Sequence, residues 1–259
     1  MEPLFQLHAP VYYERGLSVI PLAIRSKRPV IVAWSHYSRE LPEEALFESW
    51  LEKHPYNNMG LVLGEQSNIS VIDVDNDDEA IKEALETAGA PPSPWIRVGA
   101  KGYVLAYKFN PNVRAFKIKN SSQQMLVEHL STGNQIVLPP SIHPDTQKPY
   151  KANLPLLTII DDLQPLPDDF EKRLRNTLNQ AGVKLASKKS LKIADSVPKG
   201  TRDITMTEHA GYWAHVVMRG ERSLMEALGE FKAWFETQVE NDENDPIDIK
   251  KGLVRSFNS

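Results

Sequence analysis

The sequence predicts an α+β fold, with mixed sheets and flanking helices, followed by a small helical domain. Three observations predict it. Strand-like apolar runs come as pairs joined by short turns bearing Gly or Asn, without the regular strand–helix alternation of a doubly wound sheet. Helical patterns interrupt those pairs at only a few places. After Leu163 the strand signals stop, and the chain reads as helix, lysine-rich linker and helix.

Taken in order, residues up to Gly16 suit a helix, and Leu17-Ser18-Val19-Ile20-Pro21-Leu22 reads as a strand. A turn follows at Ser26-Lys27-Arg28-Pro29, with Trp34 beyond it. The run from Pro42 to Leu51 is a helix with proline at its start, where a missing N–H costs nothing. The runs 57–64 and 70–75, joined by Glu65-Gln66-Ser67-Asn68, look like a hairpin. A helix then runs to Gly89. Strands from Trp95 to Val98 and from Tyr103 to Phe109 flank a Gly99-Ala100-Lys101-Gly102 turn. The run 125–130 is a strand, Ser131-Thr132-Gly133-Asn134 a turn, and 135–138 its expected partner. Residues 139–150 form a proline-bounded polar loop. Phe170, Leu174 and Leu178 mark one face of a further helix. The stretch 182–200 carries Lys184, Lys188, Lys189, Lys192 and Lys199 and reads as a linker. Ser223-Leu224-Met225-Glu226 is a capping box, with Leu224, Leu228, Phe231 and Phe235 on one helical face behind it. Trp213 and Trp234 read as packing residues. The expected divisions are 1–165, 166–199 and 200–259. The chain ends without a helix stop signal, as a shortened chain would.

Composition excludes several chemistries. The 259 residues are 41% apolar and 25% charged, as in an ordinary soluble protein. Cysteine is absent, which removes disulfides, thiolate zinc sites and a Cys nucleophile. The opening Met-Glu-Pro is no secretory leader and no run approaches a membrane span, so a cytoplasmic location is expected. A net charge of −4 argues against wholesale non-specific nucleic-acid binding but leaves room for a local basic groove.

The chemistry concentrates in Ser70-Val71-Ile72-Asp73-Val74-Asp75. Strand alternation puts Asp73 and Asp75 on one face and Ile72 and Val74 on the other. Two carboxylates on a strand end suit a hard divalent cation. Asp77, Asp78 and Glu79 are better read as acids of a first helical turn. An EF-hand is excluded, because Asp78 stands where its glycine belongs. Asp73 has no such bland account, since an unpaired charge inside an apolar strand is costly.

These pieces together resemble the bifunctional DNA primase/polymerase domain of the archaeo-eukaryotic primase superfamily, found in plasmid and phage replication proteins. The resemblance rests on Gly16-Leu17-Ser18-Val19-Ile20-Pro21, Lys27-Arg28-Pro29, Trp34, Asn58-Met59-Gly60-Leu61-Val62-Leu63-Gly64 and the Asp73–Asp75 strand. It continues through Val127-Glu128 and Pro139-Pro140-Ser141-Ile142-His143-Pro144 to Tyr150. Val197-Pro198-Lys199-Gly200-Thr201-Arg202, the helix at Ala210-Gly211 and the segment 249–257 look like the small helical domain that follows such domains.

The resemblance implies catalytic metal ligands at Asp73, Asp75 and Glu128, holding two Mg²⁺ or Mn²⁺ for in-line nucleotidyl transfer. It implies nucleoside triphosphates and a single-stranded DNA template as partners, with a helicase domain or partner nearby. The family's second motif, a small residue, any residue and His, falls on Gly102-Tyr103-Val104, so valine stands where a phosphate-binding imidazole is expected. Lys101, Gly102, Ser141, His143 and Lys27 are the remaining nucleotide-binding candidates. His129 faces away from Glu128 and reads as structural. Arg114, Lys117 and Lys119, interleaved with Phe116 and Ile118, could track a template backbone, with Phe116 as a stacking surface. Two rivals to a primase remain: a DNA- or nucleotide-binding module that positions a helicase, and another metal-dependent nuclease or nucleotidyltransferase.

Overall fold

The structure, a computed structural model, describes residues 2–75, 78–99, 102–186, 209, 211–214, 216–217 and 222–238. The chain divides into two compact units, Met1–Ser187 and Lys188–Ser259. In the first unit α1 (Leu4–Glu14) leads into β1 (Val19–Leu22), and α2 (Glu44–Lys53) precedes β2 (Asn58–Val62) and β3 (Ile69–Val74). Then come α3 (Glu79–Thr87), β4 (Ile96–Val98), β5 (Tyr103–Lys108), β6 (Phe116–Lys119), β7 (Met125–Leu130), β8 (Gln135–Val137), β9 (Lys151–Ala152) and α4 (Phe170–Gln180).

Two antiparallel sheets result. One is three-stranded in the order β1-β2-β8, and the other is six-stranded in the order β6-β7-β3-β5-β4-β9. The α+β expectation is correct. β3 serves both cores through its alternation. Ile69 and Val71 join Ile20, Leu61 and Val137 of the smaller sheet, with Phe5 of α1 and Trp50 of α2. Ile72 and Val74 face the other way and join Ile81 and Leu85 of α3 and Phe170, Leu174 and Leu178 of α4. At the start of α3 the Asp78 side chain accepts the Ala80 N–H at 3.0 Å as the N-cap and Glu79 lies in the first turn, as expected, while Asp77 lies outside the described residues.

Both expected hairpins are corrected. β2 pairs with β1 and β8, whereas β3 pairs with β5 and β7, and a single bridge at Gly64–Ile69 is all that joins the two runs. β8 likewise leaves β7 to pair with β2. The chain thus crosses between sheets three times, after β2, β7 and β8, and the first two crossings are adjacent: the Leu63 N–H donates to the Asn134 carbonyl at 2.9 Å. Gly64 takes φ +130°, and a Cβ there would meet the Ser38 carbonyl at 2.9 Å. The physical reason is burial. β2 is buried along its whole length. A run buried on both faces carries no alternation to say which neighbour it pairs with.

The boundary expected at 165 falls inside the first unit, because α4 covers the outer face of the larger sheet. Phe170, Leu174 and Leu178 are completely buried there.

In the second unit, α5 (Leu224–Gln238) opens on the expected capping box. The Glu226 N–H donates to Ser223 Oγ at 3.3 Å, and the Glu226 carboxylate accepts the Ser223 N–H at 2.8 Å. Its buried face is Ala227, Phe231, Trp234 and Phe235, while Leu224 is exposed. Trp234 stacks on His209 with ring centres 3.7 Å apart. The lysines at 188, 189, 192 and 199 and the segments 197–202 and 249–257 lie outside the described residues. No helix among the described residues is long and apolar enough to cross a membrane.

Candidate active site

Antiparallel register brings the site together. Asp73 of β3 lies directly opposite Glu128 of β7 on one side and Val104 of β5 on the other. Beyond Glu128 stands Lys117 of β6, and beyond Val104 stands Arg97 of β4. Residues paired across strands point to the same face. One rung of the larger sheet therefore reads Lys117, Glu128, Asp73, Val104, Arg97, on the face turned toward the three-stranded sheet. Asp75 lies just past the strand end, and its N–H donates to the Leu126 carbonyl at 3.3 Å.

Asp73 and Asp75 stand in an unfavourable environment. Burial raises the Asp73 pKa above the ordinary carboxylate range; Arg97 and Lys27 oppose the shift, and Asp75 and Glu128 add to it. Asp75 is raised as well, first by burial and then by Glu128, against the pull of Lys27. Lys27 therefore lies within electrostatic range of the acids, on a turn held by the Gln135 Nε2–H donating to the Lys27 carbonyl at 2.9 Å. Gly102 belongs here for a steric reason. A Cβ would lie 1.8 Å from the Val74 carbonyl oxygen, so only glycine lets the 99–102 turn close on the end of β3. Lys101 lies outside the described residues.

Other candidates are engaged elsewhere. Ser141 is fully buried, and its Oγ accepts the Met59 N–H at 2.8 Å, bracing the 139–150 loop against β2. His143 Nδ1 accepts the Asp145 and Thr146 N–H groups at 3.1 and 3.3 Å, which makes it a turn acceptor. His129 is buried on the opposite sheet face, with Nδ1 2.9 Å from the Arg114 carbonyl, and burial lowers its pKa.

The basic stretch on β6 is also changed by its surroundings. Lys117 Nζ pairs with Glu128 at 2.8 Å instead of standing free for a template. Phe116 is buried against Phe170 and His129, so it offers no stacking surface. The outer edge of β6 is covered: the Lys117 carbonyl accepts from Arg175 at 2.9 Å and the Lys119 carbonyl accepts from Ala186 at 2.8 Å. Arg114 is exposed and Lys119 half-buried.

Arg97 was not among the sequence candidates. Its signal was available, because Ile96-Arg97-Val98 places a charge inside an apolar strand just as Val71-Ile72-Asp73-Val74 does. The guanidinium is buried, donates from Nη1 to the Val137 carbonyl at 2.7 Å and lies over the Tyr150 ring at 4.9 Å. Burial lowers its pKa, against the favourable charge of Asp73.

Donor chemistry and side-chain placement bear differently on a metal. The rung offers carboxylate oxygens alone, which suits a hard cation. As the side chains stand, no three carboxylates or imidazoles among the described residues are gathered tightly enough to hold an ion. The Glu128 carboxylate is turned to Lys117. The backbone spacing is compatible, since paired residues on neighbouring strands have Cβ atoms about 5 Å apart. A separate cavity of about 700 Å³, lined by Leu85, Pro91, Ile96, Tyr103, Leu105 and Tyr107, lies on the other face of the sheet, away from the acids.

No curated protein matches the chain. The family model for the N-terminal domain of bifunctional DNA primase/polymerases (Prim-Pol) matches residues 9–169, which takes in both sheets and the whole acidic rung. With well over half of its length matched, the chain belongs to the bifunctional DNA primase/polymerase family.

Proposed function

We propose that this protein is a template-dependent primase/polymerase of a plasmid, phage or other mobile element, in which Asp73, Asp75 and Glu128 form the metal-binding centre for nucleotidyl transfer. Family membership supports a replication function of the primase/polymerase type, with DNA and nucleotide as its ligands. The observation that carries the finer reading is the register pairing of Asp73 with Glu128, with Asp75 at the adjoining strand end. Raised carboxylate pKa values at Asp73 and Asp75 reflect burial first and repulsion from neighbouring acids second, and a divalent cation would offset both. Bound Mg²⁺ or Mn²⁺ would supply activation of a primer 3′-hydroxyl and neutralisation of charge on the transferred phosphoryl group. The chain's own contribution is to hold the carboxylates on rigid strands, to release Glu128 from Lys117, and to set Lys27 against the negative field.

Template-directed primer synthesis with Mn²⁺ tests this. Asp73→Ala/Asp75→Ala is expected to abolish product, and full synthesis by that variant overturns the assignment.

One observation favours a second reading. Val104 presents methyl groups where the family's imidazole donates to phosphate, and no side-chain hydrogen bond can come from that position. In this reading the fold binds DNA or nucleotide and positions a replicative helicase, with little or no catalysis. DNA binding with no extension product in Mn²⁺ is the result that selects it.

A further inference from the structure

The valine that stands in the imidazole's place has unlike neighbours. Val104 is paired in register with Asp73 on one side and with Arg97 on the other. Two interstrand spacings separate those charged residues, about 10 Å between their backbones. They feel each other's charge but form no ion pair, so the buried Val104 stands between a carboxylate and a cation.

Arg97 is a cation with unused hydrogen-bonding capacity. It is only 6% exposed, and among the described residues its Nε–H has no partner, while Nη1 is fixed on the Val137 carbonyl. Tyr150 supports the guanidinium plane from one side. A buried donor without a partner is costly, and a planar fork of donors matches phosphate oxygens. A residue needed merely to tie β4 to β8 could do so with less charge and fewer donors.

We propose that Arg97 forms the phosphate subsite for an incoming nucleoside triphosphate, supplying from β4 the donor that Val104 cannot supply from β5. The proposal rests on the nucleotide-binding reading above. Asp73 then faces the same phosphate chain from the metal side, and Arg97 from the opposite side. The clamp at Val137 pre-orients the guanidinium, which reduces the ordering cost of binding.

The test compares full-length wild type, Arg97→Gln and Arg97→Lys at constant Mg²⁺. Calorimetric affinities are measured for ATP, dATP and the corresponding nucleosides. Wild type is expected to prefer triphosphate over nucleoside. Arg97→Gln is expected to bind triphosphate roughly 10- to 100-fold more weakly, as for loss of a hydrogen bond to a charged group, with nucleoside affinity unchanged. Arg97→Lys is expected to fall between the two. A purely structural role would weaken both ligands together, and that result, or equal triphosphate affinity in Arg97→Gln and wild type, overturns the proposal. Absence of any nucleotide binding by wild type overturns the underlying reading instead. Should Arg97→Gln fail to fold, the wild-type side-chain Nε–H resonance of Arg97, assigned by its loss in Arg97→Lys, provides the measurement. It is expected to shift on titration with inorganic tripolyphosphate, and no shift at saturation overturns the proposal.

Discussion

At the scale of single residues, the rung is a line of charges whose partners are partly wrong for a stable protein. Asp73 is mostly buried, and its pKa is raised by burial and by two neighbouring acids despite Arg97 and Lys27. The sign of the consequence follows from linkage. A carboxyl whose folded pKa exceeds its unfolded value binds more protons when folded. Its protonated form favours folding at low pH, and stability is lost as pH rises from the unfolded value of 3.8 through the raised folded value. Asp73→Asn, which mimics the neutral form, is therefore expected to melt above wild type at pH 7 in metal-free buffer. The difference should shrink toward pH 4, and thermal unfolding across that range checks it. Lys117 offers a second test. Its pairing with Glu128 competes with a cation, and a partly exposed pair of this kind is worth about 0–1 kcal/mol. Lys117→Met should lower the Mn²⁺ concentration for half-maximal primer synthesis by up to about 5-fold, as read in a metal titration.

At the scale of elements, the end of β3 and the 99–102 turn form one unit. Gly102 lies so close to the Val74 carbonyl that any Cβ forces the backbone apart beside Asp75. Gly102→Ala is expected to destabilise the fold by about 2–4 kcal/mol, at the severe end of single substitutions, and to weaken metal-dependent activity with it. Denaturant unfolding together with the primer assay measures both. The same closeness means that Gly102, expected from the sequence as a phosphate contact, is required by packing. Ser141 makes the parallel case on the 139–150 loop, where a hydroxyl at a motif position braces β2.

At the scale of the molecule, the six-stranded sheet is packed on both faces, and each face has a different task. One carries the acids toward the smaller sheet; the other is sealed by α3 and α4. The stable unit should therefore include α4. A chain ending at 187 is expected to melt cooperatively, whereas one ending at 165 loses Phe170, Leu174 and Leu178 and uncovers the Ile72–Val74 face. Strong binding of a hydrophobic dye by the shorter chain, and its absence from the longer one, is the expected contrast. Equal behaviour of the two would show that α4 is dispensable.

The sequence by itself determined the local elements and the placement of Asp73 and Asp75 on one side of a strand. Helix starts, the glycine turns, the Asp73–Asp75 alternation and the Ser223–Glu226 capping box are short-range effects, set by residues within a turn of one another. Tertiary structure decided the pairing. β2 and β3 look like a hairpin, as do β7 and β8, yet each pair is split between two sheets. Doubly buried strands carry no pattern that names a distant neighbour. That same long-range register set Glu128 against Asp73, tied Lys117 to Glu128, buried Phe116 and brought Arg97 next to Val104. None of those neighbours is close in the chain, so their approach follows from the burial of two cores and not from any local preference.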